Sequence, residues 1–251
     1  MSRILVIKTG ETLPPIRARH GDFEAWIARG LGRALDELHV AAVYEGEPLP
    51  PMESLGGVVI TGSPAMVSER ADWSERTARW LVEVVERDAL PVLGLCYGHQ
   101  LLAHGLGGEV GPNPRGREMG TLEVRFADFL GGDEGDGGGE MGWGPVPLFT
   151  PGAFLAHFTH VESVLVPPSA ARVLASTRLD PHSAIAFGPR QWGVQFHPEF
   201  DLEVMRGYLE ARREVLLEES FDPDAMLRAT RETPEMSALL GRFAAFVDGL
   251  A

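Results

Sequence analysis

Cysteine is nearly absent: Cys96 is the single thiol in 251 residues. That scarcity excludes an intramolecular disulfide and a cysteine-built zinc site. A free thiol suits a reducing compartment. Long apolar runs are missing too. The N-terminal run at residues 4–7 is too short for a secretory leader, and nothing approaches the roughly 20 apolar residues of a membrane span. The expectation is a cytoplasmic protein with no membrane partner. Positive charge is also in short supply, with 22 Lys and Arg against 36 Asp and Glu and a net charge of −14. Such a chain is repelled by a phosphate backbone, which argues against nucleic acid as a main partner. Neither G-x-G-x-x-G nor a P-loop occurs, so no phosphate cradle is signalled. No cofactor and no metal is expected.

What is present is ordinary for a globular chain: 44% hydrophobic and 23% charged residues. Residues 4–7, 39–44, 57–60 and 91–95 are short apolar, β-branched runs and read as strands. Residues 22–38, 72–87 and 99–106 carry apolar residues at helical spacing. Strands alternating with helices imply an α/β fold, an open, mostly parallel twisted sheet with helices on both faces. In such folds sites gather at the carboxyl ends of strands. That directs attention to Thr61-Gly62-Ser63-Pro64 and Leu95-Cys96-Tyr97-Gly98. Further on, residues 121–126 and 184–196 have strand character. The Gly- and acid-rich residues 131–144 read as a loop or insertion without chemistry. Residues 201–217 are helical by pattern, and one or two more helices follow.

Cys96 lies in GLCYGHQ, with Gly94 and Gly98 two residues to either side. Small flanking residues are what a sharp strand-to-helix turn needs to hold a nucleophile clear of the sheet. The helix that follows points its positive end at the sulfur, and the N–H of Tyr97, free at the helix start, is available to a developing oxyanion. Taken alone, a cysteine in an apolar run is more often buried and inert, so the partner base matters. His99 and His104 belong to the following helix. In GVQFHPEF, by contrast, His197 and Glu199 are two apart in an extended segment and share a face. The carboxylate can then accept the second N–H of the imidazole and orient it, as in a catalytic triad.

GLCYGHQ and GVQFHPEF, in this order, resemble the nucleophile and histidine–glutamate motifs of class I glutamine amidotransferases. ITGSP, GLGGEV, NPRGREMG and THVESV are similar to the group whose glutaminase domain serves GMP synthesis. The resemblance implies a flavodoxin-like domain over residues 1–213, with residues 214–251 as a helical extension packed on it. It implies Cys96 as nucleophile, His197 as acid and base, Glu199 as its orienter, the N–H groups of Gly62 and Tyr97 as the oxyanion hole, and Gln100, Thr159, His160 and Val161 as holders of L-glutamine. His160 is a conceivable alternative base. THVE departs from the Ser-His-Gly-Asp usual in that group, which leaves open a γ-glutamyl peptide as substrate. Arg117 and Glu118 read as a solvated pair. The 38 residues beyond Arg213 are too few for the ATP-pyrophosphatase domain that would use the ammonia. A separate synthase subunit is the expected acceptor. A γ-glutamyl peptide hydrolase with the same triad is the second reading, and a non-catalytic binding or regulatory module of the same fold is the third.

Overall fold

A computed structural model describes residues 3–127 and 147–250 of the protein; the segment at residues 131–144 lies outside them. β1 (Ile4–Lys8) is buried along its whole length. It leads through α1 (Pro14–His20) and α2 (Phe23–Leu31) to β2 (His39–Ala42). β3 (Gly57–Ile60), α3 (Asp72–Glu86), β4 (Val92–Leu95) and α4 (Tyr97–Gly105) follow. The second half is richer in strands than its sequence pattern suggests. It runs β5 (Glu109–Pro112), β6 (Glu118–Phe126), β7 (Gly152–His160), β8 (Glu162–Val166), β9 (Arg172–Ser176), β10 (Ala184–Ala186) and β11 (Gln191–Val194). It ends in α5 (Leu202–Ala211), α6 (Arg213–Glu218), α7 (Pro223–Ala229), α8 (Pro234–Ser237) and α9 (Leu239–Asp248).

Nine strands form one sheet in the order β2-β1-β3-β4-β11-β10-β9-β6-β7, and β5 pairs with β8 separately. The first five run parallel; from β11 to β7 every pairing is antiparallel. The strand period of two divides β1 between two cores. Ile4 and Val6 pack with residues of α2 and α9 on one face. Leu5 and Ile7 pack with residues of α3 and α4 on the other. Helices therefore cover both faces of the parallel half, the α/β architecture expected.

Two helix boundaries differ from the sequence pattern. The helix expected over residues 22–38 stops at Leu31, because Gly32 takes the left-handed conformation (φ 68°, ψ 32°) and its N–H closes on Ala28 and Arg29. The helix expected over residues 201–217 breaks at Arg212 (φ −104°, ψ 10°) into α5 and α6.

The strand order sets the site. β3, β4 and β11 are neighbours and parallel, so their carboxyl ends lie side by side, with Val194 paired to Leu95. Gly62, Cys96 and His197 each follow one of these three ends.

Candidate active site

Cys96 occupies a sharp turn between β4 and α4. Its backbone has φ 48° and ψ −97°, a region that side chains other than glycine seldom adopt. Strain of this kind costs on the order of 1–3 kcal/mol and persists only where the surroundings enforce it. Here the Cys96 N–H donates to the Val194 carbonyl at 2.8 Å, and α4 starts at the next residue. Tyr97 anchors that start: its hydroxyl meets Ser74 Oγ at 2.6 Å and its ring stacks on Trp73. Gly98 is held against β3, where an added Cβ would lie 2.6 Å from Ile60 Cβ. The Cys96 sulfur accepts a hydrogen bond from Gln195 Nε2 at 3.4 Å.

His197 is fixed from four sides. Its N–H donates to the His157 carbonyl of β7 at 2.8 Å. Its Nδ1 meets Glu199 Oε1 at 2.8 Å. Its ring stacks on Phe200, centroids 4.1 Å apart. On the other side sits Gly62, where an added Cβ would lie 3.0 Å from His197 Cε1. Glu199 has only acceptor oxygens when ionised, so Nδ1 carries the proton and donates. His197 Nε2 is buried and makes no hydrogen bond among the described residues. Burial pulls the imidazolium pKa down, but the charge of Glu199 and the sulfur of Cys96 more than offset it and raise it to about 10. A protonated imidazole beside a sulfur nucleophile is the arrangement that acyl transfer requires.

The N–H groups of Gly62 and Tyr97 have no acceptor among the described residues. The Gly62 carbonyl is pinned by the hydroxyls of Thr9 (2.9 Å) and Thr61 (2.8 Å). Two cavities meet at Cys96. The larger, about 120 Å³, is lined by Tyr97, Gln100, Thr159, His160 and Val161, among others. The smaller, about 50 Å³, is lined by His197, Phe23 and Tyr208. Gln100, His160 and Val161 line only the larger cavity, the imidazole lines only the smaller, and Thr159 borders both. Gln100 is already engaged: its Nε2 donates to the Glu162 carbonyl (2.7 Å) and to Gln195 Oε1 (3.0 Å). His160 also spends both ring nitrogens, Nδ1 on the Glu162 carbonyl (2.8 Å) and Nε2 on Glu118 Oε2 (3.2 Å). That leaves it unsuited to act as the base for Cys96.

The solvated pair expected at Arg117 and Glu118 is not what the fold makes. Glu118 is buried, accepting from Thr177 Oγ1 at 2.6 Å and facing His160. Arg117 instead forms a two-pronged pair with Glu219 at 2.7 and 2.8 Å. Arg117 immediately precedes β6, and Glu118 is the first residue of the strand and faces the interior. Gln195 was also overlooked. A glutamine at the end of an apolar strand signals a buried polar group with partners, here Cys96 and Gln100. Glu118, His160 and Asp180 are buried and bring donor atoms within 4.8 Å of one another, the one group of described residues whose geometry could hold a metal ion.

The family model "Glutamine amidotransferase class-I" matches residues 21–213. A GMP synthase [glutamine-hydrolyzing] of Aeropyrum pernix is 36% identical over 185 residues, 71% of this chain but 32% of that protein. The chain thus spans about a third of the length of this relative. Gamma-glutamyl peptidase 3 of Arabidopsis thaliana is 26% identical over 193 residues, 75% of this chain and 72% of that one. Among solved structures, a glutamine amidotransferase from Thermotoga maritima has the same fold, with a TM-score of 0.70 at 20% identity over 99% of this chain and 97% of that one.

Proposed function

The chain belongs to the class I glutamine amidotransferase family, and we propose that it hydrolyses the side-chain amide of L-glutamine through a thioester on Cys96. The Cys96 sulfur bonds to the γ-carbonyl carbon, and the oxyanion so formed is met by the N–H groups of Gly62 and Tyr97. The C–N bond breaks, and His197 Nε2 gives its proton to the departing ammonia. The same nitrogen then takes a proton from water, which attacks the thioester; glutamate leaves and the thiol is restored. Glu199 keeps Nδ1 protonated and the ring oriented. Glutamine's amino-acid end occupies the larger cavity, against Gln100, Thr159, His160 and Val161. The ammonia passes to an acceptor or partner that the site does not identify.

One observation carries this reading. Nδ1 of His197 is held by Glu199 at 2.8 Å, while the opposite nitrogen is left unpaired and electrostatically coupled to a cysteine on a strained turn. His160, by contrast, has both ring nitrogens engaged, and among the described residues neither His99 nor His157 pairs a ring nitrogen with a carboxylate. Each oxyanion donor is worth roughly 3 kcal/mol to the transition state. The test is intact-protein mass spectrometry after treatment with 6-diazo-5-oxo-norleucine. A single adduct mapped to Cys96 and blocked by glutamine supports the reading. An unlabelled, unreactive Cys96 would turn it towards a non-catalytic module.

A second reading, hydrolysis of γ-glutamyl peptides by the same chemistry, draws support from the cavity beside His197. Ammonia needs no such room.

A further inference from the structure

Resting on the γ-glutamyl reading just given, we propose that the cavity beside His197 is a leaving-group subsite in which Arg212 receives a carboxylate, so that the substrates are γ-glutamyl amino acids. Hydrolysis of such a bond consumes one water and yields glutamate and a free amino acid.

The two cavities divide the reaction. The amine that leaves the γ-carbonyl carbon must face its proton donor, and His197 lines only the smaller cavity. That cavity measures about 50 Å³, whereas one water, close to ammonia in size, needs roughly 10–15 Å³ on the same measure. There is room for a small amino acid. Its walls include the apolar faces of Leu13, Phe23 and Tyr208.

Arg212 borders both cavities, brought there by the break between α5 and α6. Its guanidinium has no hydrogen-bonded or ionic partner among the described residues, in a chain with 36 acidic side chains. Arg117, the other guanidinium at the site, is bound on two prongs by Glu219. Glu11, the acid lining the smaller cavity, is taken up by Arg17. Arg212 therefore remains as a planar, permanently charged fork beside the position of the leaving group, and a carboxylate is the ligand such a fork matches. In a γ-glutamyl amino acid the leaving nitrogen carries that carboxylate one carbon away.

The experiment compares kcat/KM for γ-glutamylglycine and γ-glutamylglycinamide, which match in size and differ in the charge. The parent protein is expected to favour the carboxylate by about tenfold or more. The ratio should fall towards one in Arg212→Met and be partly kept in Arg212→Lys. A parent ratio near one overturns the proposal. So does an equal loss on both compounds and on glutamine in Arg212→Met, which would put Arg212 on the glutamyl carboxylate common to all three. Calorimetric binding of the same two compounds to Cys96→Ala separates this proposal from the catalytic one. A preference in binding that depends on Arg212 supports the subsite even if the parent turns over nothing. No preference in binding overturns it whatever the turnover.

Discussion

A side-chain carbon on Gly94 would lie 2.6 Å from the main-chain carbon and oxygen of Gly98. Gly94 is thus required by the backbone of Gly98, and Gly98 in turn by Ile60 of β3: β4 and the first turn of α4 touch backbone to backbone. Gly94→Ala is expected to push α4 off the sheet and to cost about 1–3 kcal/mol, as overpacking does. The obstacles are main-chain atoms and cannot rotate aside. Thermal unfolding gives the stability change. Loss of labelling by 6-diazo-5-oxo-norleucine in protein that is still folded would show that the turn itself had opened. Unchanged stability would mean that the contact is relieved at no cost.

Glu199→Gln removes the charge that holds the His197 pKa near 10. With a neutral amide in its place burial prevails, and the pKa falls. The alkaline limb of the pH–rate profile should therefore move to lower pH, with partial activity remaining because the amide can still orient the ring. Stability provides a second readout. A raised histidine pKa contributes stability that is fully present below the unfolded value of about 6.5 and lost as pH rises through the folded value. Chemical denaturation of the parent should show that decline between about pH 6.5 and 10, and the variant should show less of it. Identical pH profiles would remove Glu199 from its assigned role.

Gln195→Leu keeps the approximate size but removes the donor to the Cys96 sulfur and the acceptor of Gln100. An unpaired buried polar group costs on the order of 1–3 kcal/mol. Both kcat and stability are expected to drop, kcat by roughly tenfold. A variant that lost stability but kept full kcat would make Gln195 a packing residue and nothing more.

Asp180 is fully buried, and one of its oxygens has no partner among the described residues. Burial raises its pKa above the ordinary 3.8. The folded protein holds this proton where the unfolded chain has released it. Stability is therefore lost as pH rises from the unfolded value through the folded one. Asp180→Asn ends that loss, and its amide supplies the N–H where the acid had its O–H. The variant should be more stable than the parent at neutral pH, with a smaller gap near about pH 4.5. Urea midpoints at both values check it, and a less stable variant at neutral pH would show that the carboxylate is ionised and held.

The parallel half of the sheet was legible because its signals are local. Residues 4–7 and 57–60 are apolar runs buried on both faces. The glycine spacing around Cys96 is equally local. The antiparallel half was legible only in part: residues 121–126 and 184–196 showed strand character, and β7 and β9 did not. β7 and β9 carry mixed exposure, and only their register with β6 makes them strands. Glu118 looked like a surface acid because its partners, Thr177 and His160, are about 40 to 60 residues away. Arg212 was invisible for a similar reason: the helical pattern runs straight through it, and only packing shows that the helix breaks there.

Among the described residues β7 is the terminal strand of the nine-stranded sheet. A terminal strand offers unpaired main-chain groups on which another chain can assemble. Here the His157 carbonyl is taken by the N–H of His197. The segment that carries the imidazole therefore also blunts the edge of the sheet. A change that frees this segment is expected to release the imidazole and this carbonyl of the edge strand together. The same hydrogen bond thus holds the proposed proton donor and one main-chain group of the edge strand.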